Sequence, residues 1–297
     1  MTVFDTPAPI SASVELGVGD LRVVASDRSD TVVEVRPTNP AKQSDVTAAE
    51  QTRVDYADGT LTVKTPKGWR QFSFRGGNES VDITIELPAG SRVQAEAGVA
   101  ALRSKGPLGE SRFKTGVGDI RLEQVSNAQV KTGGGDITVD RVTGQADITT
   151  GSGAVRVGAI GASATIKDSN GDIWVGEASG DLRASTSNGR ISVDRAHSSV
   201  VAKSANGAIR LGEVARGDVT AQTANGSLEI GVREGVAAWL DLKTHYGNVH
   251  SGLDAVKAPT TGDATVEVRA RTAFGDITVT RSRGAAGVSG DRPEPQS

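Results

Sequence analysis

Residues 170–211 read NGDIWVGEASGDLRASTSNGRISVDRAHSSVVAKSANGAIRL. An Asn-Gly pair opens each unit, at Asn170-Gly171, Asn188-Gly189 and Asn206-Gly207, and the spacing is 18 residues both times. Each pair leads into an alternation of apolar and polar residues, such as Ile173-Trp174-Val175 and Ile191-Ser192-Val193. Working outward, equivalent glycines stand at Gly118, Gly135, Gly153, Gly171, Gly189, Gly207 and Gly226, separated by 17, 18, 18, 18, 18 and 19 residues. Looser copies follow at Gly247 and Gly275. A sustained period of this length marks stacked supersecondary units.

The columns of the repeat supply the geometry. Two residues past each glycine stand Ile120, Ile137, Val155, Ile173, Ile191, Ile209, Leu228, Val249 and Ile277. Four past it stand Leu122, Val139, Val157, Val175, Val193, Leu211 and Ile230. Arg121, Thr138, Arg156, Trp174, Ser192, Arg210 and Glu229 lie between them. Period two with one apolar face is a half-buried strand. A second strand precedes the glycine, with Ala128, Val130 and Thr132, or Val200, Ala202 and Ser204, facing inward. Equivalent positions keep their chemistry from unit to unit, so like side chains stack at a strand spacing of about 4.8 Å, which requires parallel strands. Helical periodicity is absent from the repeat. The sequence therefore predicts an all-β, right-handed parallel β-solenoid (β-helix), the hand following the crossover rule. Each coil of about 18 residues carries two short strands, and about nine coils make a rod of roughly 40 Å.

Composition agrees. Among 297 residues there are 37 glycines and only ten aromatics (three Trp, two Tyr, five Phe), which suits a thin core. The net charge of −3 does not favour nucleic acid. Cysteine is absent, which removes disulfides, thiolate metal sites and thiol nucleophiles. The opening MTVFDTPAPISASVELGVGD has no basic region followed by an apolar one. With no long apolar run, a cytoplasmic protein without a transmembrane segment is expected; cell-surface association is the alternative if a leader is missing.

The ends differ from the middle. Residues 1–99 are read as an N-terminal cap with irregular initial coils, 100–280 as the regular solenoid, and 281–297 as a disordered tail. The segment DVTAAEQTRVDYA suggests one short helix, and WRQFSFRGGN a hairpin. AVKAPTTGDA is a longer loop before the last coil.

The G-D-I and N-G-x-I units, with the opening FDTPAPISASVELGVGDLRV, resemble the bacterial "putative adhesin" family of β-strand-repeat proteins, domain of unknown function 4097. That opening, GWRQFSFRGG and TGVGDIRLEQ are similar to its actinobacterial members. The resemblance spans nearly the whole chain. It implies the same β-solenoid and an adhesin-like role, and it brings no catalytic residues.

Three polar columns are candidate binding surfaces. Asn170, Asn188, Asn206 and Asn225 precede four consecutive glycines. Asn-Gly turn chemistry and amide stacking account for them, and ligand binding is the alternative. Asp20, Asp119, Asp136, Asp172 and Asp276 follow the glycines. Corner hydrogen bonds explain them more simply than a cation site or a polysaccharide-cleaving carboxylate pair. Lys114, Lys131, Lys167, Lys203, Lys243 and Arg271 stand four before the glycines. From Lys131 to Lys243, Thr149, Ser185 and Gln222 alternate with them, spacing the charges about 10 Å apart. This column is either a solvated face or a strip for an anionic envelope polymer. His197, His245 and His250 lack ligand spacing. Trp69, Phe72, Phe74 and Arg75 either pack the cap or stack on a ligand. No catalytic residue, metal site or cofactor is expected. The predicted function is a non-enzymatic scaffold engaging a protein or an anionic envelope polymer. A carbohydrate-active β-helix enzyme and an end-to-end self-associating filament are the alternatives.

Overall fold

The computed structural model describes residues 1–66, 79–253 and 264–282. The repeat folds as a parallel β-solenoid. Leu182–Asn188 pairs in parallel with Val200–Asn206, and Ile191–Ala196 with Ile209–Val214. The same register holds from coil to coil: Ile137 sits beside Ile120 and Val155, and Ile191 beside Ile173 and Ile209. These side chains fill the axis and are essentially solvent-free. The core is one continuous file of Val, Ile, Leu and Ala, and Phe113 is its one fully buried aromatic among the described residues.

The order of layers departs from the order of the chain at both ends. Ser11–Ser26 is a continuous bent strand spanning one coil. It pairs on one side with Arg92–Leu108 and on the other with Thr60–Lys64 and Val81–Pro88, all in parallel. The parallel layer built from Thr60–Lys64 and Val81–Pro88 is therefore outermost, although residues 11–26 precede it in the chain. At the far end, Gly217–Asn225 pairs with Thr265–Phe274, which pairs in turn with Ala237–Tyr246. The Gly275 coil is thus inserted beneath the Gly247 coil. This corrects the expectation that the Gly275 coil comes last. Ser11–Ser26, Thr60–Lys64 with Val81–Pro88, and Arg92–Leu108 supply three further layers, so the described rod has twelve, about 50 Å.

The two ends are finished differently. At the N-terminal end Arg53–Ala57 pairs antiparallel with Thr60–Lys64. Asp30–Pro37 pairs antiparallel with Val81–Pro88, and Thr2–Asp5 with Asp30–Pro37. Antiparallel strands break the parallel stacking pattern and cover the last layer's edge. The helix Gln43–Gln51 lies against this cap. Its buried Asp45 pairs with Lys42 at 2.8 Å and accepts the Ser80 N–H at 3.2 Å. The hydrogen bond from Lys42 holds the Asp45 carboxyl below the usual carboxylate range. The helix is shorter than the segment read as helical, because RVDYA extends as strand Arg53–Ala57. The C-terminal layer, Ala237–Tyr246 with Val249–Ser251, has no strand beyond it among the described residues. Val249 is consequently 47% exposed, whereas Ile277 in the same column is fully buried. The hairpin expected around Trp69, the loop at 254–263 and the tail from 283 lie outside the described residues.

Candidate functional site

The asparagine column is a hydrogen-bonded ladder. Each Nδ2 donates to the Oδ1 one layer below: Asn188 to Asn170 at 2.8 Å, Asn206 to Asn188 at 2.9 Å, Asn225 to Asn206 at 2.8 Å. The register places Phe274 and then Tyr246 directly after Asn225. Their rings stack at 4.9 Å with an interplanar angle of 7°, and His245 meets Tyr246 edge-on. Exposed Val99 and Val117 occupy the same ridge near the other end. The ridge is thus apolar at one end, amide in the middle and aromatic at the other. Asn206→Ala removes two ladder bonds and is expected to lower stability by about 1 kcal/mol in urea denaturation. An unchanged midpoint would show that the ladder contributes nothing to folding.

The aspartate column serves the backbone. Asp119 Oδ1 accepts the Asp136 N–H at 2.9 Å, and Asp136 Oδ1 accepts the Ala154 N–H at 2.8 Å. Asp172 and Asp276 do the same for Arg190 and Asn248, at 2.7 and 2.8 Å. Each carboxylate fastens one corner to the next. Asp20 instead meets Arg103 at 3.4 Å.

A third column escaped the sequence reading. Hydroxyls, all buried but the half-buried Thr244, donate to the corner carbonyl one layer below: Thr115 to Ala100, Thr132 to Gly118, Thr150 to Gly135, Thr186 to Gly171, Ser204 to Gly189, Thr223 to Gly207, Thr272 to Gly226 and Thr244 to Gly275. Asp168 occupies this column between Thr150 and Thr186. Its Oδ1 accepts the Asn170 N–H at 3.1 Å, and its buried Oδ2 has no hydrogen-bond partner among the described residues. Burial pushes the Asp168 carboxyl above the usual carboxylate range. The signal was a Thr/Ser column visible at fixed offset, with one acid in it.

The basic column runs along one outward face. Lys114 lies beside Lys131, and Thr149 separates Lys131 from Lys167. Ser185 separates Lys167 from Lys203. The alternation read from the sequence continues one step further, with Gln222 beside Lys203, and then breaks. Gln222 adjoins Arg271, and Arg271 adjoins Lys243, because the Gly275 coil is inserted. Lys203, Arg271, Lys243 and His245 line a shallow concavity of about 630 Å³ with no carboxylate among its lining residues. Arg271 does reach Asp241 outside it, at 3.1 Å. Nearer the cap the column turns acidic at Glu96 and Glu15, the latter paired with Lys64 at 2.8 Å.

The histidines stand apart. His197 Nε2 lies 2.8 Å from Glu177 Oε1, and Arg195 also reaches Glu177. His197 and then Arg195 hold the Glu177 carboxyl below its ordinary value. Among the described residues no group of three or more His, Cys, Asp or Glu is placed to hold a metal ion. No helix among them is long and apolar enough to cross a membrane.

Fold and columns together define a capped parallel β-solenoid whose polar residues are arranged in longitudinal strips. The Toastrack DUF4097 family model matches residues 13–280, and the chain belongs to that family. Its fold is similar to solved structures at low identity. One is described as a "putative adhesin" from Parabacteroides merdae (14% identity, 94% of each chain covered, TM-score 0.38). Another is a "putative adhesin" from Bacteroides fragilis (13% identity, 94% of this chain and 95% of that one, TM-score 0.36). A third is a "putative lipid binding protein" from Parabacteroides distasonis (11% identity, 94% and 95% covered, TM-score 0.38). No curated protein matches the chain.

Proposed function

We propose that this chain is a non-enzymatic scaffold that presents its basic face to an anionic cell-envelope polymer. One observation carries the reading: the register brings Arg271 next to Lys243, two layers from Lys203, in a concavity free of lining carboxylates. Lys167 and Lys131 extend the strip at two-layer intervals. Charges about 10 Å apart repel weakly at physiological salt yet sum toward a long polyanion. The rigid sheet holds them in line, so little order has to be gained on binding. The ladders of Asp and Asn are occupied with hydrogen bonds between layers, and among the described residues of the basic face Arg271 alone is drawn to a carboxylate, Asp241, which leaves its lysines to face a ligand.

The test is co-sedimentation or calorimetry with poly(glycerol phosphate), against a neutral glucan. Binding to the polyanion that weakens with added salt is expected. A triple variant Lys167→Glu, Lys203→Glu, Arg271→Glu should lose at least about tenfold in affinity while remaining folded. Equal binding to the neutral glucan, or full binding by the triple variant, would overturn the proposal.

A further inference from the structure

We infer that two copies of this chain pair tail to tail through the open edge of Ala237–Tyr246, giving a closed dimer. The inference does not rest on the polymer reading, although Lys243 enters both. That strand pairs only with Thr265–Phe274 among the described residues. Ala237 donates its N–H to Ala264 within the stack. By the alternation of a strand, Ala237, Trp239, Asp241 and Lys243 therefore turn their backbone groups inward along the rod. Ala238, Leu240, Leu242 and Thr244 turn theirs to the open edge. The side chains of Leu240 and Leu242, only partly buried, face the solenoid axis at the same end. Val249, 47% exposed, adds to this uncovered end of the core. An edge that joins free backbone groups to an uncovered core is a template for another strand.

The occupant is specified by symmetry and charge. A head-to-tail partner would have to dock on the N-terminal end, which finishes in the short antiparallel strands Arg53–Ala57 and Thr2–Asp5, five and four residues against the ten of Ala237–Tyr246. A second copy related by a two-fold axis normal to the sheet meets no such cap. It brings the same edge in antiparallel orientation, so the contact is self-complementary and closes at two copies. The outward charges select the register. Centred on Leu242, the pairing sets Lys243 opposite Asp241 of the second copy, twice, and Trp239 opposite His245. Centred one residue either way, it sets Asp241 against Asp241 or Lys243 against Lys243. Like charges directly opposite are unfavourable, and opposite charges favourable. In the favoured register the Lys243–Asp241 pairs occupy non-hydrogen-bonded positions, where side chains approach most closely. Asp241 meets Arg271 through Oδ2 at 3.1 Å, and its Oδ1 has no partner among the described residues. Both halves of the core, capped at their outer ends, would become one continuous file.

The test is sedimentation equilibrium of the full chain, with circular dichroism to confirm folding. The expected species has twice the 30.5 kDa mass of one chain. Lys243→Glu and Asp241→Lys should each weaken dimerisation by at least about tenfold, since each sets like charges opposite one another. The double variant Asp241→Lys, Lys243→Glu should restore it. A wild-type monomer at high concentration would overturn the inference and point to coverage of the edge from within the chain. Polymers growing with concentration, or a double variant as weak as the single ones, would overturn it as well.

Discussion

Gly207→Ala is expected to destabilise the solenoid by more than about 3 kcal/mol, and at physiological temperature to leave little of it folded. Gly207 has a φ of +151°, a region that side-chain-bearing residues rarely adopt. A Cβ placed there would stand 2.0 Å from the carbonyl oxygen of Gly189 and 2.5 Å from its carbon. Those are backbone atoms of the neighbouring layer, so no rotamer change relieves the clash. Moving the layers apart would stretch the ladder on both strands, including the Gly189 N–H to Asn206 carbonyl bond at 2.9 Å and the Ser204 hydroxyl bond to the Gly189 carbonyl at 3.0 Å. Gly235 is the control. Its φ is +77°, but a Cβ there meets nothing within 4 Å. Gly235→Ala should therefore cost only about 1 kcal/mol, from backbone strain alone. Urea denaturation of the two variants separates the effects. Equal losses would mean that the close approach of layers does not determine the corner.

Asp168→Thr is expected to have the opposite sign, stabilising the protein by about 2 kcal/mol at neutral pH. The wild-type residue places a carboxylate oxygen without a hydrogen-bond partner where eight other layers place a hydroxyl on a corner carbonyl. A buried unsatisfied polar group costs about 1–3 kcal/mol, and a threonine hydroxyl would supply the missing donor. The pH dependence identifies the cause. Burial raises the Asp168 carboxyl in the folded protein above its unfolded value. The folded state thus binds the proton more tightly, and stability falls as pH rises through the folded pKa. Above it the penalty is complete; below the unfolded value, about 3.9, it is gone. The gain from Asp168→Thr should accordingly be largest at neutral pH and shrink toward pH 4. Thermal melts of both proteins across that range test this. A gain that is constant with pH would assign it to packing and not to the buried charge.

The corner chemistry explains why so much of the fold was legible. A one-layer period with Ile, Val and Leu at two fixed offsets leaves a parallel stack as the arrangement that buries every copy. The roles of Asn188 and Asp136 were legible for the same reason, since a residue repeated at one corner meets its own copy one layer away. Asp168 was harder to read. Its neighbours in the column lie in other repeats, and their hydroxyl bonds appear only once the register is known.

The sequence by itself determined the coil, its two strands and its inward columns, because these depend on periodicity and local turn chemistry; the family resemblance, too, was carried by sequence motifs, and the family model matches residues 13–280. Tertiary structure alone decided the order of layers at the ends. Thr60–Lys64 and Val81–Pro88 lie outside Ser11–Ser26, and Thr265–Phe274 lies inside Ala237–Tyr246. Every coil offers nearly the same apolar edge to its neighbours, so the repeat pattern is satisfied by either order. The choice rests on long-range packing and on loops that reach across a layer. That choice sets Arg271 beside Lys243 on the basic face and leaves the edge of Ala237–Tyr246 open.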